Sequence, residues 1–189
     1  MVKKYSELYR EARKALIPID GPHQAGVTAR ELLVLASGKT AAQLLADGEK
    51  YADTSVEVAL EQYLERMEKG EPLAYILGEW DFYGLKFHVT PDVLIPRDDT
   101  CALTEIAIRQ ALFLDPNPRI LDLCTGSGCI GIAIASRVKD AKVTLADLSR
   151  EALAVAKKNV VVKVFSTEGV ARASLNRAYE VSGNRPETG

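Results

Sequence analysis

Arg119-Ile120-Leu121-Asp122-Leu123-Cys124-Thr125-Gly126-Ser127-Gly128 is the stretch on which the fold turns. Its first five residues are mostly apolar and suit a short buried strand. Thr125-Gly126-Ser127-Gly128 makes a tight loop, and Ile130 to Val138 then reads as an apolar helix. Lys142-Val143-Thr144-Leu145-Ala146 gives a second strand that ends at Asp147. Ser149 can cap a further helix reaching Asn159. A series of strand, glycine loop, helix and strand predicts parallel strands joined by a right-handed crossover.

Glycines after a strand let backbone approach a ligand where a Cβ would clash. The following helix offers free N–H groups and the positive end of its dipole. Asp147 stands about 20 residues beyond the glycines, where an acidic side chain can accept both hydroxyls of a ribose. Gly126-x-Gly128-x-x-Gly131 also matches the dinucleotide fingerprint, so NAD is one candidate ligand. Two features favour a methyl donor, S-adenosyl-L-methionine. Asp122 lies at the strand end four residues ahead of Gly126, in a looser loop than a pyrophosphate needs, and its charge suits the donor's amino-acid part. A long domain also precedes the strand, whereas dinucleotide domains often begin near the start of their chain.

Plainer roles stand beside these. Asp122 could cap the loop, and Asp147 could be an ordinary N-cap at a strand end. Cys124 sits where many such loops have glycine and Cys129 begins the helix, so both read as small packing residues rather than nucleophiles. His23 and His88 are far apart in sequence and read as surface or hairpin residues without partners. Trp80, Phe82, Tyr83 and Phe87 read as packing for a hairpin, with a grip on a partner as the alternative. No catalytic residue and no metal site stands out.

Outward from the loop, Asp98, Asp99 or Thr100 can cap a helix running to about Leu114, which Pro116 and Pro118 break. Pro91 and Pro96 bracket an extended Val93-Leu94-Ile95. Phe82-Tyr83-Gly84-Leu85-Lys86-Phe87-His88-Val89 alternates around a glycine and predicts a β-hairpin. The front of the chain is helical. Val2, Tyr5, Leu8, Tyr9, Ala12, Ala15 and Leu16 share one face, and Pro18, Gly21 and Pro22 are expected to end that helix. A second is expected to open at Thr28 with Glu31 completing a capping box, a third at Thr40, and a fourth over Ser55 to Lys69 with Gly70 beyond its end. Four short helices suggest a small bundle. Behind the loop, Val160 to Phe165 is read as a possible third strand, Ala171 to Val181 as helix-forming, and Ser182 to Pro186 as a frayed end.

The 189 residues are 47 % apolar and 26 % charged, enough for a packed core. With 26 acidic against 24 basic side chains the formal net charge is -2, which argues against direct nucleic-acid binding. No apolar run approaches the roughly 20 residues that cross a bilayer, and the start has no secretory pattern. Cys101, Cys124 and Cys129 lack the spacing of a disulfide framework or zinc site, so a reducing, cytoplasmic setting is expected.

Gly70-Glu71-Pro72-Leu73-Ala74-Tyr75-Ile76-Leu77-Gly78, then Phe82 to Phe87, then Val93-Leu94-Ile95-Pro96-Arg97, then the glycine loop, resemble the release-factor glutamine methyltransferases of the HemK type, over roughly residues 2 to 160. The resemblance implies an α/β architecture: an incomplete Rossmann-like class I S-adenosylmethionine-dependent methyltransferase domain at 101–160, preceded by a helical substrate-docking domain at 1–75 and a hairpin linker at 76–100, with an atypical tail at 161–189. It implies methyl transfer from S-adenosyl-L-methionine to a glutamine side-chain amide of a peptide chain release factor, the protein partner. It assigns Cys124, Thr125, Gly126, Ser127 and Gly128 to the donor's amino-acid end, Asp147 to its ribose, and Ile95-Pro96-Arg97 to a wall of the pocket. The family usually continues that wall with proline and glutamate, where this chain has Asp98-Asp99.

An amide nitrogen is a poor nucleophile, because its lone pair is delocalised into the carbonyl. The family's answer is an Asn-Pro-Pro-Tyr motif, whose oxygens hold the amide hydrogens and aim the nitrogen. The asparagines past the glycine loop are Asn159, Asn176 and Asn184, and none precedes two prolines. The family pattern is lost abruptly at Val160, as a truncated, frameshifted or rearranged gene would leave it. The leading reading is therefore a methyltransferase of this family with its donor half present. A non-catalytic remnant that binds the donor or the release factor is the second reading. A nicotinamide-dependent oxidoreductase is the third, disfavoured because no Tyr-x-x-x-Lys pair or catalytic histidine follows the glycines.

Overall fold

The structure is a computed structural model that describes residues 2–114 and 116–166. It divides into two compact units, one up to Leu77 and one from Gly78 onward.

The first unit is helical, with α1 (Tyr5–Ser37), α2 (Ala41–Ala46), α3 (Thr54–Glu68) and the short α4 (Leu73–Leu77). Of the residues expected to end the first helix, Gly21 does so and Pro18 does not. The helix continues to Asp20 and breaks only at Gly21, where φ is 75° and ψ 165°. Burial of Leu8, Ala12 and Leu16 on one side of the break, and of Ala25, Ala29 and Leu32 on the other, favours helix through Pro18. Pro22 then starts the second segment, where a missing N–H costs nothing. Thr28 is accordingly no cap. It lies inside the helix, and its hydroxyl donates to Asp20 Oδ2 at 2.5 Å. The capping box forms instead at α2, where Thr40 Oγ1 accepts from the Gln43 N–H and Gln43 Oε1 accepts from the Thr40 N–H. Val56, Leu60 and Met67 of α3 close a core with Tyr5, Leu8, Leu32 and Leu33 of α1.

The second unit opens with the hairpin β1 (Glu79–Phe82) and β2 (Leu85–His88), paired antiparallel. Its two-residue turn, Tyr83-Gly84, has φ of 52° and 75°, the twist that matches the flanking strands. Then follow α5 (Asp99–Leu114), β3 (Arg119–Leu123), α6 (Cys129–Arg137), β4 (Lys142–Ala146) and α7 (Arg150–Ser166). Strands β3 and β4 are parallel, with Asp122 opposite Leu145 and Leu123 opposite Ala146. They are the whole of this sheet among the described residues.

Val160 to Phe165, read from sequence as a possible third strand, belongs to α7. Ala152, Val155, Ala156, Asn159 and Val160 are buried at three- and four-residue steps, so the helical period wins over the β-branched valines. The readings over 171–186 lie outside the described residues.

Candidate functional site

The loop between β3 and α6 is built by its own polar groups. Asp122 is half-buried near the end of β3, and its Oδ2 accepts the Thr125 hydroxyl at 2.6 Å and the Gly131 N–H at 2.9 Å. The second bond satisfies a donor in the first turn of α6, which has no partner within the helix, and places a carboxylate at the positive helix end. Its Oδ1 keeps its lone pairs free among the described residues.

Left-handed backbone recurs at every second residue of the loop: φ is 60° at Cys124, 55° at Gly126 and 81° at Gly128. Cys124 thus adopts a conformation that favours glycine, and its side chain is exposed. Thr125 donates its N–H to the Ala146 carbonyl at 3.0 Å, and Gly128 donates to the Thr125 carbonyl at 2.9 Å. A Cβ on Gly128 would lie 2.9 Å from Ile132 Cδ1 and 3.3 Å from Ala156 Cβ, whereas one on Gly126 would meet nothing within 4 Å. Gly128 therefore serves packing, and Gly126 leaves open space above the loop. Ser127 is buried; its hydroxyl has no oxygen or nitrogen partner among the described residues and lies beside the Cys129 thiol. Burial pushes that thiol's pKa up, the character of an inert packing cysteine.

Asp147, just past β4, joins this loop directly. Its Oδ2 accepts the Gly126 N–H at 2.8 Å and its Oδ1 accepts the Ser149 N–H at 3.0 Å. Ser149 in turn caps α7, its Oγ accepting the Ala152 N–H at 3.0 Å. Both aspartates therefore do the plainer structural work that the sequence left open. Neither is exhausted by it, since each carboxylate oxygen can accept two hydrogen bonds.

Asp122, Thr125, Gly126, Ser127, Gly128 and Asp147 are brought together, with Cys124 on the rim. Arg97 is not drawn in: it is exposed, and its guanidinium makes no hydrogen bond or ion pair among the described residues. Its carbonyl accepts the Thr100 N–H at 3.0 Å where α5 begins.

Two residues matter more than their sequence suggested. His88, expected to lack partners, has Nδ1 2.8 Å from the Gly78 carbonyl and Nε2 3.1 Å from Lys158 Nζ. A carbonyl only accepts, so Nδ1 carries the proton and Nε2 accepts from the ammonium. Asn159, 1 % exposed, ties α7 to both His88 and Ser127. A polar residue inside the apolar stripe of α7 was the signal available for it. The hairpin aromatics do pack: Phe82 and Phe87 are buried edge to face, 6.2 Å apart. Tyr83 donates its hydroxyl to Glu105 Oε2, and the Arg137 guanidinium lies 5.5 Å from its ring centre. The hydrogen bond raises the Tyr83 pKa, and the same bond, with one from Arg109, lowers that of Glu105.

A cavity of about 360 Å³ lies elsewhere, in the helical unit, lined by Tyr9, Arg30, Leu33, Leu44, Leu45 and Glu49 among others. No cluster of three metal-ligating side chains occurs among the described residues, and no helix there is long and apolar enough to cross a membrane.

The sequence of the helical unit matches the model of the PrmC N-terminal domain over residues 7–78, and residues 106–181 match that of the methyltransferase small domain. A release factor glutamine methyltransferase of Neisseria gonorrhoeae is 40 % identical over 133 residues, which are 70 % of this chain and 48 % of that protein. One of Bordetella pertussis is 44 % identical over 131 residues, 69 % of this chain and 48 % of its own length. One of Bacteroides thetaiotaomicron is 45 % identical over 103 residues, 53 % and 35 % of the two chains. The chain spans about half the length or less of these relatives. Two family models in the expected order, and relatives of one name matching across both units, place this α/β chain in the release factor glutamine methyltransferase family.

Proposed function

We propose that this chain is the donor-binding half of a release factor glutamine methyltransferase, with S-adenosyl-L-methionine as its cofactor and a peptide chain release factor as its partner. The observation that carries the reading is the junction of the loop with Asp147, in which one carboxylate holds the Gly126 N–H and still has lone pairs to offer. The donor set fits the ligand. The Asp147 carboxylate would accept the ribose hydroxyls, and the Asp122 carboxylate would balance the positive charge of the amino-acid part. The unobstructed backbone at Gly126 admits close approach. When bound, S-adenosylmethionine supplies an electrophilic methyl group on a sulfonium. The chain's own residues at the loop and at Asp147 would orient that donor; Arg97, exposed and outside the cluster, takes no part in this reading.

Aiming a glutamine amide needs oxygens held against its two hydrogens. The sequence has no Asn-Pro-Pro-Tyr run to supply them, so donor binding is the part of the family's chemistry that these residues support. Residues 1–75 serve as the docking domain for the release factor. Thermal unfolding tests the reading. A ligand that binds the native state alone stabilises it, by about 2.7 kcal/mol at 100 times its Kd. S-adenosylmethionine should raise the melting temperature of the wild-type chain, and Asp147→Ala should abolish the rise. Equal protection of both proteins would refute the assignment of Asp147.

A further inference from the structure

Asn159 ties two separate pieces of the second unit to α7 with three hydrogen bonds. Its Nδ2 donates to the His88 carbonyl and to the Ser127 carbonyl, each at 2.9 Å, and its Oδ1 accepts the His88 N–H at 2.7 Å. Of the four bonds an amide can form, three are made, at a site 1 % exposed. A side chain needed only to fill space in α7 would be apolar, like its neighbours Val155 and Ala156. The cost of burying this amide is offset only by these three bonds.

The partners are not scattered. Ser127 precedes Gly128 in the donor loop. His88 ends β2, and the chain leaves it through Val89, whose N–H donates to the Gly78 carbonyl at 3.0 Å, toward 90–97. A second tie from the same helix, Lys158 Nζ to His88 Nε2, holds the same strand end. The loop and the end of β2 are thus fixed to one buried amide. We infer that Asn159 is a positioning residue for the methyl donor: it sets the spacing between the Ser127–Gly128 peptide and the end of β2 at His88. This rests on the donor-binding reading above, since it names what holds that same site in shape.

The test uses the full chain and three variants. Asn159→Asp keeps the size and loses both donated bonds; Asn159→Ser removes the amide without burying a charge, and serves if the first fails to fold. Val155→Ala trims a buried α7 side chain that touches none of these bonds, so it reports destabilisation alone. Affinity for S-adenosylhomocysteine is measured by calorimetry, and amide hydrogen exchange at His88 and Gly128 by NMR. The Asn159 variants should bind about tenfold more weakly or worse, the loss expected when hydrogen bonds to a buried group are removed. Exchange at His88 and Gly128 should quicken together. Val155→Ala should leave both readouts unchanged at a comparable drop in melting temperature. Normal affinity in the Asn159 variants, beside a binding wild type, overturns the inference alone, as does an affinity loss in Val155→Ala that matches theirs. A wild-type chain that does not bind overturns the donor reading and the inference with it.

Discussion

At the scale of single residues, the loop separates two kinds of glycine. Gly126 and Gly128 are both left-handed, a conformation costing an L side chain about 1–2 kcal/mol. Only Gly128 is also enclosed, with Ile132 Cδ1 in the way of any Cβ. Gly126→Ala should therefore cost about 1 kcal/mol in chemical denaturation, and Gly128→Ala about 2–3 kcal/mol as overpacking adds to strain. Equal costs would mean that the enclosure of Gly128 is relieved at no expense. The glycines, both aspartates and their spacing were legible in sequence, because a loop between strand and helix leaves its mark in residue type. The roles of His88 and Asn159 were not. A hydrogen bond between residues 71 apart leaves no local pattern, and an amide looks the same in sequence whether it faces solvent or the core.

At the scale of elements, period and local breakers served well where packing agreed with them. The hairpin, α5, β3, α6 and β4 follow their apolar spacing closely. Pro18 and Val160 to Phe165 misled for one reason, that burial of a continuous stripe outweighs the preference of one proline or a few valines. The hairpin is held from both ends. Phe87, wholly buried, anchors one side, and Phe87→Ala should lower stability by about 3–5 kcal/mol, read from urea unfolding. A loss under about 1 kcal/mol would mean that the hairpin adds little to the core. Tyr83 and Glu105 hold the turn against α5. The Glu105 carboxyl has its pKa lowered, first by the Tyr83 hydroxyl and then by Arg109. A carboxylate of depressed pKa contributes stability above its unfolded value, and that contribution fades as pH falls through the folded one. Tyr83→Phe should thus lose stability at neutral pH and flatten the acid limb of the stability curve. An unaltered acid limb would mean that the contact contributes nothing.

At the scale of the whole molecule, the striped helices of the first unit bury their own apolar faces, whereas among the described residues the parallel sheet of the second is packed on its α6 face alone. Leu121 and Leu123, on the face of β3 away from α6, are 61 % and 69 % exposed, and the far edge of β3 has no strand partner among the described residues. An open edge beside an apolar face invites pairing between chains. Sedimentation velocity should show the wild-type chain associating with rising concentration, and Leu121→Lys with Leu123→Lys should suppress it. A monomeric wild type over the whole range would refute this. The relatives' longer chains place the same point in context, since this chain spans about half their length. Family and fold are carried by that half, and the proposed donor loop lies within it. The most direct measurement is calorimetric titration of the purified chain with S-adenosylmethionine, with NAD as the control. Saturable binding of S-adenosylmethionine, lost in Asp147→Ala and not matched by NAD, is the predicted result. A folded chain that binds NAD, or that binds neither ligand, would contradict the assignment of this loop to a methyl donor.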